Sequence, residues 1–344
     1  MKSRENRKIE HIKLALSQNE GIIDSGFSQV HVVPNCLPDI NLADVSLATS
    51  LPGIPKLQHP IIINAITGGA AAVTECNGKL AHVAAVTGSA MAVGSQYGAI
   101  KSGLHEDSFK IVRKENPTGV IFANTSALTT PEAAQRAIDM LEADALQIHL
   151  NVAQELAMEE GDREFSGYLR TIEQVVKKLS VPVIVKETGC GMASAQIKQL
   201  MNVGVKVFDI GGAGGTNFPL IEAARYENSN TQLTQWGLPT VISLLEARKV
   251  CSSNEGIVAT GGVCTSLDIL KALILGAHAV GMAKGILTKL LNESEDSAIC
   301  EINKLQAQLK DFMVLCGCRR IKQLPKVPVY FTGEVAAARR DLKL

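Results

Sequence analysis

Aromatic residues are scarce in this sequence of 344 residues: Phe, Tyr and Trp together make up 4%, and Trp236 is the only tryptophan. The sequence has no excess of either charge, because 34 Lys and Arg residues balance 34 Asp and Glu residues. A broad nucleic-acid-binding surface normally needs a basic excess. The charge balance therefore argues against a nucleic-acid partner, although a small local anion site stays compatible with it.

Long hydrophobic runs are missing as well. No apolar stretch reaches the roughly 20 residues that a membrane-spanning helix needs, and the charged start MKSRENRKIEHIK has no secretory signal pattern. We therefore expect a cytoplasmic protein with no membrane partner. Hydrophobic residues nevertheless make up 46% of the chain, which is enough for a sizeable core.

The eight cysteines are widely dispersed, and this spacing does not indicate a disulfide framework. In the cytosol they are expected to be reduced thiols. Cys316 and Cys318 form the only close pair. Because a structural zinc site would need further ligands at similar spacing elsewhere, we interpret this pair as packing.

Eight short, apolar, strand-like runs alternate with segments of helical periodicity, such as 131–141, where Thr130 and Pro131 are typical of a helix start. Strands that alternate with helices indicate parallel pairing. The pattern predicts an α/β fold, a (β/α)8 TIM barrel, with a doubly wound open sheet as the alternative. The strand-like runs are 60–67, 88–95, 119–126, 144–151, 181–188, 205–212, 255–262 and 278–285.

No linker marks a second domain, so we expect one domain with three parts. Residues 59–292 form the barrel. Residues 1–58 form an N-terminal arm and a barrel-capping segment. Residues 293–344 form a C-terminal helix and tail that belong to the same domain.

Four segments outside the strand–helix alternation carry expectations of their own. Residues 6–18 have the pattern of a short amphipathic helix, and 26–34 that of a strand capping the barrel bottom. Residues 226–238 are polar and interrupt the alternation, so they could be a lid or an inserted loop. After residue 292 we expect one helix, 296–315, and a short basic end.

In a parallel barrel the functional residues lie at the carboxyl ends of the strands, and polar and glycine residues concentrate there in this sequence. The segments 260–264 and 283–284 follow strands seven and eight, where barrels often bind phosphate. The alternative is that their glycines only form tight turns. Lys186 ends the apolar run VPVIVK and could be a Schiff-base amine, a phosphate ligand or a partner of an anionic cofactor. Its alternative is an ion pair with Glu187 or another strand-end carboxylate.

The stretch HLNVAQE, 149–155, begins at the end of the fourth strand-like run and presents several polar side chains. Gln147, His149 and Asn151 share one face of the strand, and Gln154 and Glu155 follow in the loop. His, Asn and Gln side chains can donate hydrogen bonds to phosphate oxygens. A single carboxylate suits Mg²⁺, which usually takes one or two carboxylates together with substrate phosphates and waters. The alternative is that the loop residues are simply exposed.

The basic cluster RKIEH at 7–11 lies on the predicted N-terminal helix. Arg7 and His11 share a helix face at the i, i+4 spacing. The cluster is either a solvated basic helix or an arm that folds over a diphosphate.

Taken together, these segments resemble type 2 isopentenyl-diphosphate isomerase over nearly the whole chain. RKIEH and HLNVAQE carry the specific part of the resemblance, whereas the glycine-rich segments are shared with many FMN barrels. The matching segments are RKIEH 7–11, NAITGG 64–69, HLNVAQE 149–155, VKETGCG 185–191, GGAGGTNF 211–218, QWG 235–237, GGV 261–263 and LDILKALILGA 267–277.

The resemblance implies an FMN- and Mg²⁺-dependent barrel enzyme that interconverts isopentenyl and dimethylallyl diphosphate. Such enzymes need reduced flavin, usually supplied by NADPH, although the reaction has no net redox change. The resemblance also implies a cytosolic homo-oligomer, either a tetramer or an octamer.

The resemblance further implies roles for individual residues of this chain. Lys186, Gln154 and His149 would act at the reacting centre, and Glu155 would bind Mg²⁺. FMN would contact Ala65, Ile66, Thr67, Ser95, Asn124, Lys186 and Thr216, with its phosphate against Gly262, Val263, Cys264, Ala283 and Lys284. The substrate would contact Arg7, Lys8, His11, Ser95, Gln96, Tyr97, His149, Asn151 and Gln154.

Three residues depart from the family pattern. Tyr97 and Cys264 stand where many members have Arg, and Ala213 stands where a larger polar residue is common. Another FMN barrel oxidoreductase, such as a 2-hydroxy-acid oxidase, is the nearest alternative, but it would need Arg residues at the barrel mouth. An IMP-dehydrogenase-like enzyme would need a Cys in the loop GGAGGTNF, which has none. A non-catalytic flavin-binding protein is the alternative from another class.

Overall fold

The computed structural model of the protein describes residues 10, 13–16, 22–226 and 230–344. Short extended runs in this part of the chain form strands separated by helices. The strands are β1 Val30–Val32, β2 Ile61–Ile63, β3 Ala90–Ala92, β4 Ile121–Ser126, β5 Ala145–Leu150, β6 Val183–Glu187, β7 Val207–Asp209, β8 Gly256–Thr260, β9 Ala279–Met282 and β10 Val329–Phe331.

Strands β2 to β9 form a closed barrel in sequence order. Each strand pairs in parallel with the next, and β9 pairs with β2 to close the barrel, for example through Ile62 beside Gly281. The predicted (β/α)8 barrel is therefore confirmed, and the doubly wound open sheet is excluded. All eight predicted runs contain a barrel strand.

Helices cover the outside of the barrel, and the predicted segment 131–141 is one of them. The Thr130 hydroxyl accepts a hydrogen bond from the Ala133 N–H at 3.2 Å, and Pro131 occupies the first turn. The α-helices are α1 Thr74–Thr87, α2 Tyr97–Ser102, α3 Asp107–Glu115, α4 Pro131–Leu141, α5 Val152–Ala157, α6 Tyr168–Lys178, α7 Ser194–Asn202, α8 Phe218–Ala223, α9 Thr240–Val250, α10 Ser266–Ile274, α11 Lys284–Asn292, α12 Glu295–Leu315 and α13 Gly333–Asp341.

The inner face of the barrel has an apolar layer and, one step closer to the carboxyl ends, a polar layer. Residues two apart along a strand share a face, and in six of the eight barrel strands an inward apolar side chain is followed by an inward polar one. The pairs are Ile62 and Asn64, Phe122 and Asn124, Ala145 and Gln147, Ile184 and Lys186, Val207 and Asp209, and Val258 and Thr260.

The amino-terminal end of the barrel is closed by the segment before β2. Leu51, Ile54 and Leu57 are buried and pack in one cluster with the inner apolar layer. The expectation that 26–34 caps the bottom was wrong in its placement. That segment does contain β1, but β1 pairs antiparallel with β10 in a separate two-stranded sheet.

The C-terminal segment is more structured than expected. The predicted helix is confirmed as α12, but the tail beyond it also forms a 3-10 helix, Ile321–Lys326, then β10 and α13. A strand of three residues has too short a pattern to identify in sequence. Its partner β1 lies about 300 residues earlier, as in the pair Val30 and Phe331.

Two predicted segments fall partly outside the described residues. Within the predicted helix 6–18, residues 10 and 13–16 are helical. Within 226–238, the structure shows a 3-10 helix, Thr231–Gln235, which is tied to the loop after β7 because the Asn217 side-chain amide donates to the Thr234 carbonyl at 2.7 Å. Trp236 at its end is 67% exposed.

All eight cysteines are free thiols. The Cys318 thiol is buried and contacts the Cys316 carbonyl at 3.6 Å, in agreement with a packing role. In the described ranges, no three His, Cys, Asp or Glu residues cluster as metal ligands would. None of the described helices combines the length and apolarity needed to cross a membrane.

Candidate active site

A cavity of about 1190 Å³ opens at the carboxyl ends of the barrel strands. Most of the residues that the sequence indicated line this one cavity. They are Ala65, Ile66, Thr67, Ser95, Tyr97, Asn124, His149, Asn151, Gln154, Glu155, Lys186, Thr216, Gly262, Val263, Cys264, Ala283 and Lys284.

Gln96 is the exception among the described residues. Its side chain is fully buried and faces the barrel wall, because its amide nitrogen donates to the Ala137 carbonyl of α4 at 2.9 Å. Its amide oxygen accepts from the Asn124 N–H at 2.9 Å. We therefore do not retain Gln96 as a substrate ligand and interpret it as a support for the strand end that carries Asn124.

Arg7, Lys8 and His11 lie outside the described residues. Two later residues of the same arm, Ala15 and Leu16, do line the cavity. The arm therefore reaches the barrel mouth.

The glycine-rich loops after β7 and β8 pack backbone against backbone. A Cβ atom on Gly262 would lie 2.5 Å from the Gly214 carbonyl oxygen, and one on Gly215 would lie 2.7 Å from the Gly262 nitrogen. Gly261 and Gly262 also have φ values of 114° and 66°, which favour glycine. The glycines therefore do form tight turns. Because the same loops line the cavity, they also present a close backbone surface to a ligand.

Lys186 ends β6 inside the barrel, with 9% of its side chain exposed. Its ammonium lies 3.3 Å from a carboxylate oxygen of Asp209 and donates to the Glu187 carbonyl at 2.9 Å. The ion pair with a strand-end carboxylate, which the sequence left open as the alternative, is present, and the partner is Asp209 on β7. An ammonium has three donors, so one remains for a ligand in the cavity.

A chain of side-chain amides crosses the barrel in the polar layer. The Asn64 amide donates to Asp209 at 2.7 Å and to the Thr260 hydroxyl at 3.0 Å. The Gln147 amide donates to the Asn64 side-chain oxygen at 2.9 Å and accepts from the Asn124 amide at 3.0 Å. These contacts hold the polar layer as one connected unit beneath the cavity.

His149 is oriented by the same network. Its Nδ1 lies 2.8 Å from the side-chain oxygen of Asn124. Since the Asn124 amide nitrogen is used by Gln147, its oxygen is the acceptor and Nδ1 of His149 carries the proton. Nε2 is therefore the nitrogen that accepts a hydrogen bond when the ring is neutral.

Two buried oxygens in this region, one of a hydroxyl and one of a carboxylate, have no hydrogen-bond partner among the described residues. They are Oγ1 of Thr67 and Oδ1 of Asp209. Thr67 lines the cavity, and a buried polar group without a partner costs free energy. A polar ligand that contacts Thr67 would remove that cost.

Gln154 and Glu155 lie on the short helix α5 that follows β5. The Gln154 amide donates to the buried carboxylate of Glu222 at 3.0 Å, which leaves its amide oxygen as an acceptor. Glu155 accepts from the Asn151 amide at 2.8 Å and from the Asp162 N–H at 2.9 Å. Each contact uses a different oxygen, so the carboxylate orientation is fixed at the cavity wall.

Glu187 holds the loop that follows β6. The N–H groups of Gly189, Cys190 and Gly191 all donate to one of its carboxylate oxygens, at 2.7, 2.5 and 3.0 Å. Burial raises the pKa of Glu187 to about 7, although these donors oppose the shift. Glu187 is thus a loop anchor, and Lys186 beside it faces Asp209 instead.

Several residues of the site were missed from the sequence. Asp209 and Glu222 had a usable signal, since each is an acidic residue inside an apolar segment, VFDI and PLIEA, and such carboxylates are rarely buried without a partner. For Asn64 the only signal in the sequence was its position toward the end of a strand-like run. Arg225 had no distinguishing signal, because it follows α8 in an ordinary polar stretch.

Comparison with known proteins gives matches over nearly the whole chain. Residues 113–329 match the family model described as FMN-dependent dehydrogenase. The isopentenyl-diphosphate delta-isomerase of Geobacillus sp. (strain WCH70) is 45% identical over 334 residues, which cover 96% of this chain and 95% of that protein. The Moorella thermoacetica protein of the same name is 43% identical over 97% of this chain and 95% of its own length.

Solved structures with the same fold are more distant in sequence. Mandelate oxidase with benzoyl-formic acid has a TM-score of 0.66 at 16% identity, covering 93% of this chain and 94% of that one. Mandelate oxidase with (S)-2-phenylpropionate has a TM-score of 0.67 at 16% identity, covering 94% and 98%. At this identity the likeness shows the fold alone.

Proposed function

We propose that this chain, which belongs to the isopentenyl-diphosphate delta-isomerase family and by its barrel to the FMN-dependent dehydrogenase family, interconverts isopentenyl and dimethylallyl diphosphate. One observation carries the proposal: the polar residues of the HLNVAQE segment and Lys186 line one cavity at the carboxyl end of the barrel. Relatives that are 40–45% identical over 96–99% of this chain carry the isomerase name.

The cavity fits FMN. The loops of Gly262 to Cys264 and of Ala283 and Lys284 offer glycine backbone and a helix start to a phosphate. Thr67 offers a buried hydroxyl that has no hydrogen-bond partner among the described residues, and Lys186 offers a cation in the same cavity. Reduced FMN, when bound, supplies the electron-rich ring system that the isomerisation of an alkene needs.

Lys186 has two tasks in this proposal. Its remaining donor stabilises an anion in the cavity, which favours the reduced and negatively charged cofactor. The pair with Asp209, at 3.3 Å, fixes the ammonium in place. Asn64 in turn holds the Asp209 carboxylate.

The segment after β5 would bind the diphosphate end of the substrate. Glu155 would hold Mg²⁺, which usually takes one or two carboxylates together with substrate phosphates and waters and would neutralise charge on the diphosphate. His149 and Asn151 present polar groups in the same cavity wall, and Arg7, Lys8 and His11 of the arm would add positive charge. Together these groups neutralise the diphosphate and place the alkene against the cofactor.

Gln154 positions the reacting carbons. An amide is too weak a base to remove a proton by itself, so we assign it an orienting role, with Glu222 holding its amide group. His149 has an accepting Nε2 and can take up or return a proton at the cavity wall. Ser95 and Tyr97 complete the wall on the β3 side.

We further propose NADPH as the reductant, a cytoplasmic location and a homo-oligomer of four or eight chains. These three proposals rest on the resemblance of the sequence motifs to type 2 isopentenyl-diphosphate isomerase. The balance of 34 basic and 34 acidic residues supports a small-molecule substrate in place of nucleic acid.

An FMN-dependent 2-hydroxy-acid oxidase is the second candidate, because mandelate oxidase shares the fold. Such an enzyme needs Arg side chains to bind the substrate carboxylate. Among the described residues no Arg lines the cavity. This observation favours the isomerase.

The test is an anaerobic assay with full-chain protein, FMN, Mg²⁺ and one equivalent of NADPH. Isomerase activity predicts that isopentenyl diphosphate converts to dimethylallyl diphosphate over many turnovers with no further NADPH consumed, and that EDTA stops the conversion. Stoichiometric consumption of the reductant, or conversion by the flavin-free protein, would overturn the proposal.

A further inference from the structure

We propose that Arg225 is a positioning residue that fastens the N-terminal arm over the cavity by binding Glu10. The proposal rests on the proposed function, because the arm carries the cations assigned to the diphosphate. It adds a residue outside the cavity lining to the set on which substrate binding depends.

Arg225 lies just after α8, and only 3% of its side chain is exposed. Its Nε lies 3.2 Å from a carboxylate oxygen of Glu10 on the arm. Its Nη2 lies 3.4 Å from Glu160, which follows α5, and its Nη1 contacts the fully buried Glu222 on α8. One guanidinium therefore joins the arm, the segment after β5 and the helix after β7.

The geometry requires arginine in this position. A guanidinium has five N–H donors in a rigid planar fork, whereas a lysine ammonium is a single point charge. Burial opposes the charge on Arg225, but its hydrogen bonds with Glu222 and Glu10 raise its pKa above the ordinary value. Tyr226 supports the arrangement, since its ring lies 4.8 Å from the guanidinium carbon and its hydroxyl donates to Glu160 at 2.5 Å.

The contact matters for the arm because the arm carries Arg7 and Lys8, which we assign to the diphosphate. Glu10 follows Arg7 and Lys8 in the sequence by three and two residues, so a contact that holds Glu10 limits how far these cations can move from the cavity. Ala15 and Leu16, on the other side of Glu10, line the cavity. The ion pair therefore holds the arm at a point between Arg7 and Lys8 on one side and the cavity contact of Ala15 and Leu16 on the other.

The same guanidinium also acts on the cavity wall. Glu222 uses one oxygen for Arg225 and the other for the Gln154 amide. Glu10 instead contacts Arg225 through the guanidinium Nε. We therefore expect a change at Arg225 to affect both the arm and Gln154, and a change at Glu10 to affect mainly the arm.

The first experiment measures arm opening by limited trypsin digestion of full-length protein loaded with FMN, with no substrate present. Glu10→Gln and Arg225→Lys are each expected to speed cleavage within residues 1–13 about tenfold, because cleavage follows the open population. The double variant is expected to be cleaved no faster than Arg225→Lys alone, since both changes remove one contact. Glu173→Gln, which breaks an exposed ion pair with Lys177 on α6, is the matched control and should behave as wild type.

The second experiment measures steady-state kinetics with isopentenyl diphosphate. Glu10→Gln should raise KM about tenfold and change kcat less than twofold. Arg225→Lys should raise KM as much and also lower kcat, because Glu222 loses its fixed position beside Gln154. Digestion rates equal to wild type in both variants would overturn the role of Arg225 even if isomerisation is found. Faster digestion without any isomerisation would instead overturn the proposed function and leave the fastening of the arm in place.

Discussion

At the scale of single residues, Asp209 is the carboxylate on which the polar layer depends. It is fully buried, pairs with Lys186 at 3.3 Å and accepts from Asn64 at 2.7 Å. Asp209→Asn should lower the free energy of unfolding by about 3–5 kcal/mol, because it leaves the Lys186 ammonium buried without its anion. Chemical denaturation of the flavin-free protein measures this.

The double change Asp209→Asn with Lys186→Met is the companion test of that prediction. Removing both charges should restore part of the lost stability, while FMN affinity stays low because the cation is gone. Asp139→Asn, at an exposed residue of α4 that contacts Gln135, is the control. If Asp209→Asn unfolds at the same denaturant concentration as that control, the ion pair is not what holds the polar layer.

His59 gives a prediction about pH at the other end of the barrel. Its Nδ1 accepts from the Ile61 N–H at 3.2 Å, and its Nε2 lies 3.0 Å from the Thr87 carbonyl. The ring is therefore neutral, and burial lowers its pKa to about 4. Protonation would place a hydrogen on Nδ1 against the Ile61 N–H.

The sign of the effect follows from the proton balance. Between about pH 4 and 6.5 the unfolded chain holds the His59 proton and the native chain does not, so stability falls as the pH falls through this window. The loss amounts to about 3 kcal/mol at 1.36 kcal/mol per pKa unit. His59→Gln should flatten the curve of unfolding free energy against pH, although His278, whose pKa burial also lowers, keeps part of the slope. Parallel curves for the two proteins would contradict this.

At the scale of elements, strand β9 needs glycine at position 281, because the side chains of Thr260 and Asn64 pack directly against its backbone. A Cβ on Gly281 of β9 would lie 2.2 Å from the Thr260 hydroxyl and 2.4 Å from the Asn64 amide nitrogen. Gly281→Ala should therefore lower both stability and FMN affinity. Gly98 in α2 has no heavy atom within 4 Å of an added Cβ, so Gly98→Ala should stabilise the protein by up to about 1 kcal/mol. Thermal unfolding of the two variants compares them, and equal shifts would rule out the steric argument.

The sequence predicted the elements that have a strong local pattern. The eight barrel strands follow from apolar runs, and α4 follows from Thr130 and Pro131. The pairing of β1 with β10 could not be predicted, because each has three residues and the two are distant in the chain. The bottom closure by Leu51, Ile54 and Leu57 was missed for a related reason: no periodicity marks this segment, and its burial depends on the finished barrel.

The candidate site was predictable to a similar degree. Strand-end residues such as Lys186 and His149 were found because a parallel barrel brings strand ends together. The hydrogen bonds and ion pairs beneath these residues could not be predicted. The partner of Lys186, for example, depends on which strand-end carboxylate faces it in the folded barrel. The orientation of Gln96 also depended on tertiary packing, because its amide pairs with the α4 carbonyl of Ala137.

At the scale of the whole molecule, the two ends of the barrel have separate roles. Ile54 is buried among the inner apolar residues at the amino-terminal end, on the far side of the polar layer from the cavity. Ile54→Ala should cost about 2–5 kcal/mol of stability and leave the FMN dissociation constant and KM unchanged. Leu37→Ala, at a residue that is 83% exposed, is the control and should be neutral. A rise in KM for Ile54→Ala below its unfolding temperature would show that the ends are coupled.

The most direct test of the central claim follows a proton. The full-length protein with FMN and Mg²⁺, reduced anaerobically with NADPH, is incubated with isopentenyl diphosphate in D₂O, and the product is examined by mass spectrometry and NMR. The proposed isomerisation predicts deuterium in dimethylallyl diphosphate with no net oxidation of the flavin. Bound FMN together with unlabelled, unconverted substrate would contradict it.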